Sequence, residues 1–203
     1  PGWLLLNTGA AWYGKTTADR PVIVLLRTYF KFHDRAPHQE VRDSITARLL
    51  ALDKSLVAKS PALFSLLEVP VEDAEWRALD PRQRRQQTID AVVRVLIRES
   101  HIQPLCLILE DLHWIDSETQ ALLDSLIESV PTARLLLLVN YRPEFQHRWG
   151  GRAHYTQLRI DPLSSESAEE LLGGLLGGDA ALGPLKALLI ARTEGNPFFL
   201  EES

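Results

Sequence analysis

A chain of 203 residues, 45% apolar and 24% charged, has room for one large globular domain or for a domain with a small appendage. A net charge of −5 argues against a nucleic-acid surface, and no apolar run reaches the ~20 residues that span a bilayer. Cys106 stands alone inside an apolar run, so no disulfide can form within the chain, which fits a reducing, cytoplasmic compartment. No signal peptide is visible. The chain lacks Met and opens at Pro1 directly on a strand-like run, as a fragment of a longer protein would.

Trp3–Leu6 reads as a short strand, and residues 7–20 as polar and turn-like. Pro21–Phe32 carries apolar residues at helical spacing, with Pro21 suited to a first helical turn. Val41–Leu52 and Ala62–Leu67 read as helices, and Val69–Pro81 as a loop. Arg82–Ser100 is a long amphipathic helix in which Ile89, Val92, Val93, Leu96 and Ile97 follow the i, i+3, i+4, i+7, i+8 pattern. The short basic cluster Arg82, Arg84 and Arg85 at its start reads as a solvated helix face.

Leu105–Leu109 is a continuous apolar run, as in a buried parallel strand. Ser117–Ser129 predicts a helix with Asp116 as N-cap, and Leu135–Val139 a second buried strand. The alternation in His154–Ile160 predicts a further strand. Strands separated by helices imply βαβ units and a mostly parallel sheet. From Ser164 the pattern is helical only: a helix opening at Ser165-Glu166-Ser167, another over Pro184–Arg192, then a Gly195-Asn196-Pro197 turn into a last short helix. The expected fold is α/β, a parallel sheet flanked by helices over residues 1–163, followed by a helical subdomain over 164–203.

The strongest chemical signal is Leu105–Asp116, LCLILEDLHWID, where a strand ends in two adjacent carboxylates, Glu110 and Asp111. Ligands of parallel α/β sheets sit beyond the carboxyl ends of strands, where acids can hold Mg²⁺ through water and orient an attacking water. Arg142 lies just past the next strand in LLLLVNYR and can reach the same crevice, where its planar fork suits phosphate oxygens. In TEGNPFFLE, the rigid turn at Asn196 and Pro197 can pack against an adenine ring, while Phe198 and Phe199 read as core. His113 has no His or Cys at metal-ligand spacing, so zinc is not expected.

Gly9–Thr16, GAAWYGKT, matches the phosphate-loop pattern G-x-x-x-x-G-K-[ST] after a strand-like run. Its surroundings argue against that role. A phosphate loop passes straight into a helix whose N-terminus faces the phosphates, and Pro21 would break that helix. Trp12 and Tyr13 put bulk where the backbone must wrap closely, and Asp19 and Arg20 fill places that usually hold apolar contacts.

The blocks YGKTT, RPVIVLLRTYF, LDPRQRRQQTIDAVVRVLIRES, LEDLHWIDSETQALLDSL, LLLLVNYRPEF and TEGNPFFLEE resemble the ATPase module of the STAND class of AAA+-related P-loop proteins. The likeness covers nearly the whole chain, and its last three blocks are the specific ones. It is nearest to bacterial multidomain proteins in which this module follows a class III adenylate/guanylate cyclase domain or belongs to a large transcriptional regulator, often continuing into helical repeats. The resemblance implies ATP and Mg²⁺ as ligands, Glu110 and Asp111 as the acidic pair that handles the metal and the attacking water, and Arg142 as the sensor arginine. Glu110 stands where many relatives have Asp. Pro197 matches the proline of the turn near the adenine. The resemblance also places the YGKTT block after the second strand, so that the true phosphate loop and its strand would precede Pro1.

The function expected is an ATP-dependent conformational switch in signalling, with ATP between sheet and helical subdomain. Its partners would be neighbouring cyclase, effector or helical-repeat domains and a nucleotide-dependent oligomer, with no nucleic acid or membrane bound directly. Two alternatives stay open: a non-enzymatic interaction module, and a complete ATPase that uses Gly9–Thr16 as its phosphate loop.

Overall fold

The computed structural model describes residues 2–10, 18–33 and 35–202. Strands β1 (Leu4–Gly9), β2 (Leu105–Glu110) and β3 (Leu135–Val139) form a parallel sheet in the order β1-β2-β3. Leu6 pairs with Leu107, and Leu107 with Leu137, so side chains align in rows across the sheet. Parallel neighbours need long crossovers, and helices supply them here. The first strand runs past the expected Leu6 to Gly9, because Asn7, Thr8 and Gly9 pair with Ile108, Leu109 and Glu110. Their polarity hid that pairing.

Between β1 and β2 come α1 (Arg20–Phe30), α2 (His38–Leu52), α3 (Ser60–Leu66), α4 (Ala74–Ala78) and α5 (Pro81–Ile102). α6 (Ser117–Ser129) crosses from β2 to β3. In α1, Pro21 sits in the first turn, where no N–H is needed, and Val22, Leu25 and Leu26 turn inward. α4 lies inside the stretch read as a loop. The Asp73 carboxylate accepts the Trp76 N–H at 2.7 Å, and burial of the Trp76 ring seats this one-turn helix. α5 opens on a capping box: Asp80 accepts the Gln83 N–H at 2.8 Å, and the Gln83 side chain returns to the Asp80 N–H as acceptor at 3.0 Å.

The core gathers α1, α5 and α6 on one face of the sheet, around Leu107 and Leu109. The opposite face is open. Leu5, Leu136 and Leu138 are 60%, 50% and 52% exposed, so β3, expected to be buried, is buried on one side only among the described residues. His154–Ile160 is not a strand. Leu158 and Ile160 are exposed there and meet no core, so their alternation has no face to serve.

One charged network lies deep in this core. Glu99 on α5 is fully buried and accepts hydrogen bonds from Tyr29 Oη of α1 (2.5 Å), Arg48 Nη2 of α2 (2.5 Å) and Gln103 Nε2 (2.9 Å). Burial, then the Glu99 bond, pushes the Tyr29 hydroxyl well above its ordinary value and keeps it a donor.

The chain divides into two compact units, one ending at Tyr155 and one starting at Thr156. In the second, α7 (Ser165–Leu176), α8 (Gly183–Thr193) and α9 (Pro197–Glu202) pack around Ala168, Leu172 and Leu200. Gly195 holds φ at 77°, and a Cβ there would run into the Leu163 carbonyl, so this turn requires glycine. Among the described residues, no helix is long and apolar enough to cross a membrane.

Candidate functional site

β2 sits between its two neighbours, so its carboxyl end opens at the middle of the described sheet. Glu110 is its last residue and alternates onto the same face as the exposed Leu5 and Leu138, with its side chain in solvent. Asn7 Nδ2 reaches Glu110 Oε1 at 3.5 Å from the neighbouring strand. Gly9 stands opposite Glu110, and a Cβ there would already touch the Glu110 Cβ at 3.7 Å.

Asp111 then reverses the chain. Its backbone is left-handed, at φ 58° and ψ 42°, a conformation that costs a residue with a Cβ roughly 1–2 kcal/mol. Asn140, just past β3, holds it there with three hydrogen bonds. Its Oδ1 accepts the Asp111 N–H at 2.7 Å, its carbonyl accepts the Leu112 N–H at 3.0 Å, and its own N–H donates to the Leu109 carbonyl at 3.2 Å. Strain of this kind concentrates at functional sites. Sequence reasoning missed Asn140 and Asn7, because a polar residue at a strand end carries no signal of what it bonds across the sheet.

The acidic turn closes on Asp116. Asp116 caps α6, its Oδ1 accepting the Glu118 and Thr119 N–H groups at 2.9 and 2.8 Å. Burial alone would raise this carboxyl, but the Thr119 N–H and hydroxyl and the Asp19 N–H outweigh it and hold it below the ordinary value. Both ring nitrogens of His113, inside the same turn, are buried without a hydrogen-bond partner among the described residues.

Arg142 lies three residues beyond β3, exposed, at the end of the sheet where Glu110 and Asp111 emerge. Asn196 and Pro197 belong to the second unit, where the Asn196 side chain accepts the Phe198 N–H at 3.1 Å and opens α9. Phe198 and Phe199, expected in the core, are 64% and 53% exposed, because Leu200 takes the buried position of this short helix. Residues 11–16 of the Gly9–Thr16 motif lie outside the described residues. α1 begins only at Arg20, behind an Asp19 that is itself left-handed at φ 59°.

Glu110 and Asp111 are hard oxygen donors, and Mg²⁺ takes one or two carboxylates beside water and phosphate, so this pair fits that ion. Among the described residues, no three His, Cys, Asp or Glu side chains gather as a metal cage.

Residues 11–139 match the family described as the AAA ATPase domain. An uncharacterized protein of Rhizobium meliloti (strain 1021) is 30% identical over 87 residues, a stretch that covers 43% of this chain and 8% of that relative. No solved structure matches.

Proposed function

The chain belongs to the AAA ATPase domain family, and from that premise we propose that it binds and hydrolyses ATP as a switch module of a STAND-class multidomain signalling protein. The observation that carries this reading is the acidic pair at the carboxyl end of β2, with Asp111 pinned by Asn140. In this reading the Asp111 carboxylate, set by its pinned backbone, accepts a proton from the attacking water, and Glu110 takes the first place of the acidic pair. Water oxygen bonds to the γ-phosphorus, the bond to the β–γ bridging oxygen breaks, and ADP leaves. Glu110 and Asp111 would hold Mg²⁺, which would neutralise charge on the phosphate oxygens. Arg142 would meet the γ-phosphate. Contact of Asn196 and Pro197 with adenine, and the assignment of 1–163 as core and 164–203 as helical subdomain, belong to the same proposal. So do its cyclase, effector or repeat-domain neighbours.

Two observations support a ligand at this turn. Buried polar groups are normally paired, and His113 has two ring nitrogens that are not, among the described residues. Asp111 also keeps a backbone conformation that a glycine would adopt at less cost. The phosphate-binding loop in this reading is not Gly9–Thr16, since α1 starts only at Arg20, behind a left-handed Asp19. The open apolar face at Leu5, Leu136 and Leu138 favours a second reading, a module that docks other domains without hydrolysis.

The test is ATP hydrolysis by the full-length protein. Asp111→Asn is expected to lower kcat by about a hundredfold or more, and Lys15→Ala to leave it near wild type. Phosphate release by Asp111→Asn at the wild-type rate would remove Asp111 from the site. Loss of hydrolysis in Lys15→Ala would make Gly9–Thr16 the phosphate loop.

A further inference from the structure

Arg85 belongs to the basic cluster that the sequence presents as a solvated helix face. Its side chain is only 22% exposed. From the start of α5 its Nη1 donates to both carboxylate oxygens of Asp19, at 2.9 and 2.8 Å, and its Nη2 donates to the Glu118 carbonyl. Its Nε lies 2.5 Å from Glu118 Oε2. The Asp19 N–H in turn donates to Asp116 Oδ2 at 3.2 Å. One guanidinium therefore fastens the entry to α1 and the start of α6 to α5. A planar fork does this where a flexible ammonium would not.

Asp116 closes the turn that begins at Asp111. Between them the Trp114 N–H donates to the Asp111 carbonyl at 2.9 Å and the Ile115 N–H to the Leu112 carbonyl at 3.1 Å, so the segment is a single tight turn. Asn140 fixes one end, and the Asp116 cluster fixes the other. Without Arg85, the carboxylates of Asp19, Asp116 and Glu118 would face one another. Burial already holds the Asp19 carboxyl above its ordinary value, with Arg85 pulling it back and Asp116 and Glu118 adding to the rise.

We propose that Arg85 is a positioning residue that sets the acidic turn Asp111–Asp116 by clamping Asp19 and Glu118. Its effect on catalysis rests on the ATPase reading above; its effect on the turn does not.

The test compares Arg85→Met and Arg85→Lys with Arg48→Met, which breaks an ion pair remote from this turn. Backbone amide exchange at Asp111 and Leu112 is read beside the kcat and KM of ATP hydrolysis in the full-length protein. Arg85→Met is expected to speed exchange at these two amides about tenfold and to lower kcat about tenfold, with KM within about twofold. Arg85→Lys, which keeps the charge and loses the fork, should fall between Arg85→Met and wild type, and it carries the same comparison if Arg85→Met does not fold. Arg48→Met should leave the exchange of both amides near wild type despite its loss of stability. Wild-type exchange in the Arg85 variants, or an equal rise in Arg48→Met, would overturn the proposal. If the wild-type full-length protein does not hydrolyse ATP, the ATPase assignment fails, and the exchange comparison still decides the role of Arg85.

Discussion

Substituting Arg48 by Met removes the cation from the buried Glu99 carboxylate and keeps most of the packing volume. Glu99 would retain Tyr29 and Gln103 as donors in a site closed to water. Breaking one partner from a buried pair costs about 3–5 kcal/mol, and the Arg48 side chain, 38% exposed, belongs at the low end of that range. A loss of about 3 kcal/mol lowers the Tm of a chain this size by roughly 6–12 °C. All five tryptophans precede Tyr155, so urea unfolding followed by tryptophan emission reports on the first unit alone. The informative variant is the double one. Arg48→Met with Glu99→Leu removes the stranded charge and should recover about half the loss or more, since buried pairs exchange well for apolar residues. A cost below about 1 kcal/mol for Arg48→Met, or a double variant no more stable than the single, would refute the reasoning.

Asn140→Ala deletes the acceptor of the Asp111 N–H and should cost about 0.5–1.5 kcal/mol, with faster exchange of that amide and little change elsewhere in β3; unchanged exchange would show that the left-handed turn holds itself. The folded Asp116 carboxyl lies below its ordinary value of 3.8, so its contribution is fully present above that value and is lost as pH falls through the folded one. Asp116→Asn, which keeps a capping oxygen, should therefore be less stable than wild type at pH 7 and converge with it on acidification below 3.8, read from urea midpoints; a gap that widens in acid would contradict this sign.

Amphipathic spacing and uninterrupted apolar runs were enough to place α5, α6, β2 and β3 from sequence, because these patterns record directly which faces leave water. The acidic pair was equally legible, since a buried run that stops at Glu110-Asp111 sets both carboxylates at a strand end. The polar residues were misread wherever their partner lay far along the chain. Asn7 and Thr8 look like a turn and are strand residues, because Ile108 and Leu109 complete their ladder from about a hundred positions away. Arg85 looks solvated and is a clamp, because Asp19, just before α1, and Glu118 on α6 reach it. Glu99 stands three residues past Leu96 on the apolar stripe of α5 and stays fully buried as a polar group, because Tyr29 and Arg48 satisfy it there. The alternation in His154–Ile160 failed for the converse reason: Leu158 and Ile160 find no core face to meet. Apolar burial is a property of local pattern, whereas the fate of a charge depends on which partner the fold delivers, and that was decided only in three dimensions.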